Sequence, residues 1–184
     1  MTANLIDHII DLEWTMFHSV KASEPAACQE AEGTFRTMRR MSHSVLPPQV
    51  LEPMAAQLEA ATAQGRNLMT EKYARMANQI PPLSDSPLIA EVVAAEEAWM
   101  LALNRRYPLT FPGKGDAFRT YLEADLETYA PATLEAYAAC VREALAAGRN
   151  LVEERFANLF RRMGYADIEA REAQTRLQAF KCCQ

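Results

Sequence analysis

Histidine is scarce in this chain, and the scarcity closes off most transition-metal chemistry. The three histidines, His8, His18 and His43, show no His-x-x-His or Glu-x-x-His spacing, so a histidine-rich metal site is not expected. The four cysteines, Cys28, Cys140, Cys182 and Cys183, also lack metal-ligand spacing. The adjacent pair near the end reads as free thiols in an exposed tail, since a vicinal disulfide would be strained. No apolar run approaches the roughly 20 residues that a membrane-spanning helix needs. The opening segment MTANLIDHII carries an acid, Asp7, and no Lys or Arg where a secretory signal carries a basic stretch. The nineteen lysines and arginines are dispersed and outnumbered by acids, for a net charge of −5. That leaves no basic stripe for nucleic acid, and the pairs Arg39-Arg40, Arg105-Arg106 and Arg161-Arg162 read as solvated helix faces. The expectation is a cytoplasmic protein with no membrane, nucleic-acid, metal or cofactor partner.

Strand formers are few as well. Ala, Leu, Glu, Met, Gln and Arg dominate, which is the composition of helices. Hydrophobic residues make up 49% of the 184 residues and charged ones 23%. That is ordinary for a globular chain with one substantial core, or two small ones sharing an interface.

What the chain does contain is a segment written twice. At one constant offset and without a gap, Leu5-Ile6 falls on Leu88-Ile89, Glu13 on Glu96, Phe35-Arg36-Thr37 on Phe118-Arg119-Thr120, and Pro48 on Pro131. Gly65-Arg66-Asn67-Leu68 falls on Gly148-Arg149-Asn150-Leu151, Glu71 on Glu154, and Ala74 on Ala157. Roughly twenty of about eighty aligned pairs are identical, so the repeat takes precedence over any other reading.

Each copy predicts three helices. The first carries Ile6, Ile9, Ile10, Glu13, Met16 and Phe17 at helical spacing, matched by Ile89, Val92, Val93, Glu96, Trp99 and Met100 behind Ser86 and Pro87. A shorter helix begins near Thr34 and near Asp116. The third starts at Pro48 or Pro131, and its apolar stripe continues through Gly65 without a phase break. That favours one helix of about thirty residues, or 45 Å, over two helices broken at the glycine. Pro81-Pro82 and Gly164-Tyr165 stop these helices, and Asp167 opens a last one. The expected fold is all-α: a helical bundle from two tandem pseudo-two-fold-related three-helix units plus a C-terminal helix. It forms a single domain over residues 1–184, with copies at 3–80 and 87–165, a linker at 81–86 and the last helix at 167–181.

Three groups of residues are candidates for function. Glu13 and Glu96 lie on apolar stripes, where an ionised carboxylate needs a cation, donors or a wet cleft. A structural ion pair with Arg36 or Arg66 of the same unit (Arg119 or Arg149 in the other) competes with a ligand or catalytic role. The second group is Arg66, Asn67 and Glu71 with their copies Arg149, Asn150 and Glu154. Asn67 and Glu71 share a helix face with small residues. They make either a buried network that sets helix register or a polar ligand pocket at the repeat interface. Meeting of Glu13, Glu71, Glu96 and Glu154 as a di-metal centre is disfavoured, because Ala74 and Ala157 stand where such bundles place histidine. The third is Cys28, near a helix N-terminus that favours a thiolate, with Arg36 or Arg39 at hand. Its copy is Phe111, and an inert cysteine is the competing reading.

Cys28-Gln29, Thr34-Phe35-Arg36-Thr37-Met38-Arg39, the run from Gly65 to Met76, and Tyr121-Leu122 through Thr128-Tyr129 followed by Thr133-Leu134 carry a family likeness. On these motifs the chain resembles a bacterial family of unassigned function, domain of unknown function family 4125. The likeness covers nearly the whole chain, and Glu71-Lys72-Tyr73-Ala74-Arg75-Met76 is its most specific string. It departs at Asp125, where the family pattern has Glu. It implies a stand-alone bacterial protein of anaerobe type and no reaction. Three function classes stay open: a small-ligand-binding or sensing protein, a protein-interaction scaffold (a homodimer included), and an enzyme using Cys28 as nucleophile.

Overall fold

The structure, a computed structural model, describes residues 2–20, 31–113 and 116–182. Among these are nine helices and no strand: α1 (Thr2–His18), α2 (Glu32–His43), α3 (Pro48–Ala63), α4 (Leu68–Met76), α5 (Pro87–Arg106), α6 (Asp116–Leu126), α7 (Pro131–Ala146), α8 (Leu151–Arg162) and α9 (Ile168–Cys182). The fold is all-α, as expected. None of the described helices is long and apolar enough to cross a membrane. Cys28 lies outside the described residues.

The continuous third helix is not what forms. Each is cut in two, so that four helices stand where three were expected. The chain leaves α3 through Gly65 at φ 68°, a left-handed conformation that suits glycine. Gly65 N–H donates to Thr62 O at 3.0 Å and Arg66 N–H to Ala61 O at 2.9 Å, the paired bonds of a Schellman stop. The chain then restarts at once, because the Asn67 side chain accepts from Thr70 N–H at 2.9 Å and caps α4. The second copy repeats this corner with Gly148 at φ 66°, Arg149 N–H to Ala144 O at 2.8 Å, and Asn150 accepting from Glu153 N–H at 2.9 Å. The apolar phase survives the corner because the helices on both sides turn a face to the same core: Leu58, Ala61, Leu68 and Met69 are all buried.

Other boundaries follow local chemistry. Pro48, Pro87 and Pro131 each open a helix, where a missing N–H costs nothing. The Asp167 side chain caps α9 by accepting from Ala170 N–H at 2.7 Å, and Gly164 ends α8 at φ 90°.

Helix α1 packs on α2, α3 and α4, and α5 packs on α6, α7 and α8. Between the two sets, α3 meets α7, α2 meets α8, and α4 meets α6. One hydrophobic cluster runs through both, joining Ile9, Val50 and Leu51 to Val93, Leu134 and Leu151. The segment at 81–86 is fastened just past the end of α6, where Glu127 accepts from Leu83 N–H at 3.1 Å and pairs with Arg75. Helix α9 lies on α8, and its Glu172 fastens the chain after α5 by accepting from the N–H groups of Leu109 and Thr110.

Candidate functional site

Glu13 and Glu96 point inward as their helical phase requires, and both are buried. Their partners differ from those expected. Arg39 donates to both oxygens of Glu13, from Nε at 2.8 Å and from one terminal nitrogen. His43 Nε2 lies 3.2 and 3.1 Å from the same oxygens. Arg39 and His43 are one turn apart on the face of α2 turned toward α1. Arg39 is therefore a buried residue and not part of a solvated arginine pair. Burial alone would raise the Glu13 carboxyl, but Arg39 and His43 outweigh it and hold the group well below the usual carboxylate range.

The cluster extends into the second half of the chain. Arg39 donates to the Tyr121 hydroxyl at 3.2 Å and stands 3.8 Å from Asp125. Lys72, fully buried on α4, donates to Asp125 at 2.6 Å with its ammonium 3.5 Å from the Tyr121 ring centroid. Burial pushes the Asp125 carboxyl up, while Lys72 and Arg39 pull it down further, leaving it below its ordinary value. The departure from the family pattern noted in the sequence thus falls on the residue that pairs with Lys72.

A second, smaller cluster surrounds Glu96. Arg155 grips it end-on, donating from its two terminal nitrogens at 2.6 and 2.9 Å, and donates to the Tyr137 hydroxyl at 2.6 Å. Tyr137 in turn donates to Glu96. Burial pushes the Tyr137 hydroxyl up; the Arg155 charge opposes this and the Glu96 charge adds to it, leaving the group well above its ordinary value. Tyr129, which donates to Asp125 at 3.4 Å, meets the Tyr137 ring edge-on at 6.0 Å and links the clusters.

Both clusters border one cavity of about 550 Å³. Arg39, His43 and Asp125 reach it from the first, and Glu96, Tyr137 and Arg155 from the second. Four of the six tyrosines and four of the seven phenylalanines line it, with Met38, Met41 and Met69, so most of its wall is apolar and aromatic. Thr34, Met38, Ala117 and Tyr121 are its exposed lining residues and mark the mouth. Among the described residues, two buried nitrogens of the lining find no hydrogen-bond partner: Nδ1 of His43 and Nε of Arg155. Such orphans are rare in native interiors and call for a reason. Among the described residues, no group of three or more His, Cys, Asp or Glu side chains is placed to hold a metal ion.

The remaining candidates from the repeat lie elsewhere. Arg66 pairs with Glu71 at 3.1 and 2.8 Å, and Arg149 with Glu154 at 2.9 and 2.6 Å, each bridging the outside of its corner. Asn67 caps α4 and donates to Met16 O at 2.8 Å, and Asn150 donates to Trp99 O at 3.2 Å, so each asparagine also fastens the corner to the helix before it. Arg36 pairs at the surface with Asp11 and Glu32, and Arg119 with Glu97 and Glu123. Of the twofold-repeated polar residues proposed for the site, the structure brings Glu13 and Glu96 to the clusters beside this cavity, while Arg66 and Glu71 line a separate one of about 590 Å³ together with Glu127 and Tyr129 from the second half of the chain. Arg39, His43, Lys72, Tyr121, Asp125, Tyr129, Tyr137 and Arg155 were not among the candidates for a pocket, although Arg39 was named beside Cys28 and Asp125 as the departure from the family pattern. Lys72 and Arg155 did leave a trace, since they hold equivalent positions in the repeat with the cation kept.

Fold and site together define an all-helical protein closed around a largely aromatic cavity that abuts two buried charge clusters. The chain belongs to the family described as a protein of unknown function, DUF4125, whose model matches residues 3–173. No curated protein and no solved structure matches it.

Proposed function

We propose that the protein binds a small, mostly apolar organic molecule in this cavity, and that residues 3–80 and 87–165 form two pseudo-two-fold-related units enclosing it. The observation that carries the reading is the cavity itself, with a wall dominated by aromatic rings and methionines beside buried charges that retain two unpartnered nitrogens. About 550 Å³ falls within the roughly 300–1,000 Å³ of sites that hold organic ligands, and an apolar wall with a few polar groups is their usual make-up. The exchange of α1–α4 with α5–α8 leaves the helix pairings described above unchanged, which supports the two-unit arrangement and puts α2, α4, α6 and α8 around the cavity.

The test uses N-phenyl-1-naphthylamine, a neutral dye that fluoresces when removed from water. One molecule per chain is expected to bind, and Ala117→Trp, which places an indole at the mouth on an exposed position, is expected to abolish uptake while the helical circular dichroism persists. Dye uptake that Ala117→Trp leaves untouched, or no saturable uptake by the wild type, overturns the reading.

A further inference from the structure

Resting on the binding reading above, the geometry points to a ligand whose polar end is an anion of the carboxylate or sulfonate type, held by Arg155 and His43. The two buried arginines are used differently. Arg39 meets its carboxylate through Nε and one terminal nitrogen, and its other terminal nitrogen serves Tyr121. Arg155 meets Glu96 with both terminal nitrogens and leaves Nε–H, a permanent donor, without an acceptor. An acceptor brought to that N–H makes a charge-assisted hydrogen bond, the stronger kind.

His43 supplies the second contact. Glu13 is an acceptor held ionised by Arg39, so the hydrogen on the near nitrogen of His43 points at Glu13 and Nδ1 is left over. In the protonated ring Nδ1 is a second donor. Three carboxylates, Glu13, Glu96 and Asp125, are matched in number by three basic side chains, Arg39, Lys72 and Arg155, all buried. The site is thus neutral with His43 neutral, and an anion arriving with a proton on His43 keeps it neutral. A cationic head would meet only donors at Arg155. Solvent does not reach either nitrogen as the side chains stand, so engagement turns part of the wall. The unbranched side chains of Met38, Met41 and Met69 suit that movement.

Two dyes with one body separate the possibilities. 8-Anilino-1-naphthalenesulfonate carries the anion, and N-phenyl-1-naphthylamine is the same skeleton without it. Fluorescence titration of the wild-type chain is expected to give one site for each, with the sulfonate tighter by about tenfold. Equal affinities overturn the anionic head and leave the binding reading intact. Binding of neither overturns both. Two variants then locate the anchor: His43→Leu, and Arg155→Lys, which keeps a cation for Glu96 and removes Nε. Each is expected to weaken the sulfonate about fivefold or more and to leave the neutral dye within about twofold. A sulfonate affinity unchanged in both overturns the assignment to these residues, and the wild-type ratio decides the charge of the head even if one variant fails to fold.

Discussion

Replacing Glu13 by Gln separates the buried charges from the repeated surface pairs. Gln is nearly isosteric and still offers one oxygen to Arg39, but the negative charge is gone. Arg39, 5% exposed, is left facing an amide, with His43 on the other side. Removing one partner of a buried pair costs about 3–5 kcal/mol. Glu96→Gln strands Arg155 in the same way and falls in the same range. The surface comparison is Glu71→Gln and Glu154→Gln, which break the pairs to Arg66 and Arg149. Those arginine side chains are 53% and 51% exposed, so solvent screening holds each loss to about 1 kcal/mol or less. Urea unfolding followed by circular dichroism measures all four. In a melt, the buried variants are expected to lose on the order of 6–20 °C, at roughly 2–4 °C per kcal/mol for a chain of this size. A Glu71→Gln loss equal to that of Glu13→Gln would refute the division drawn between core and corner, and so would a Glu13→Gln loss near zero.

The folded-state carboxyls of Glu13 and Asp125 are both lowered from their ordinary values of 4.5 and 3.8. Their stabilisation is therefore complete above those values and drains away as pH falls below them; Asp125→Asn is expected to flatten the acid limb of a stability–pH curve, and an unchanged limb counts against the Lys72 pairing. Gly65→Ala and Gly148→Ala meet no atom within 4 Å, so each is expected to cost only the left-handed strain of about 1–2 kcal/mol, whereas a loss near zero in urea unfolding would mean the corner is not a left-handed stop. Asn67→Ala is expected to cost about 1–2 kcal/mol through the lost cap, checked in the same assay. A void of about 20 Å³ bounded by Glu13, Arg39, Lys72 and Asp125 has room and partners for one water, which a high-resolution crystal structure should show as a single ordered peak. Finally, Arg39→Leu, His43→Leu, Lys72→Arg and Asp125→Ser together install the residues of the equivalent repeat positions, and are expected to fold yet lose sulfonate-dye binding; retained binding would remove the first cluster from the site.

Helix type, most boundaries and the inward aim of Glu13 and Glu96 were legible because they depend on local spacing. What failed depends on distances that spacing does not set. Glu13 had Arg36 and Arg39 as neighbours on one helix, three residues and so about 60° apart around its axis. Which of them reaches Glu13 is fixed by how α2 docks on α1, and the surface acid Asp11 of the same helix takes the other. Gly65-Arg66-Asn67 was visible as a repeated polar string, yet its repetition reflects punctuation, a stop and a restart needed once in each copy. His43 drew no attention because its equivalent is Leu126, and a residue present in one copy leaves no mark in a self-comparison.

That last blind spot also bears on function. Both copies put a glutamate into the core, and the second neutralises it with little: Arg155, with Tyr137 alongside. Lys72 sits at the position equivalent to Arg155 and could serve Glu13 in the same way. It is instead committed to Asp125 across the α4–α6 contact, while Arg39 and His43 take over Glu13. The equivalent positions to Arg39, His43 and Asp125 are Leu122, Leu126 and Ser42, so the added charges have no counterpart that the fold requires. Each added residue reaches the cavity, whereas the two corners, each with its glycine stop, asparagine cap and arginine–glutamate pair, are the same in both copies. Structural necessity accounts for the symmetric part. The asymmetric part brings in buried charges that stability alone does not favour over apolar packing, and it lies where a bound molecule would meet it.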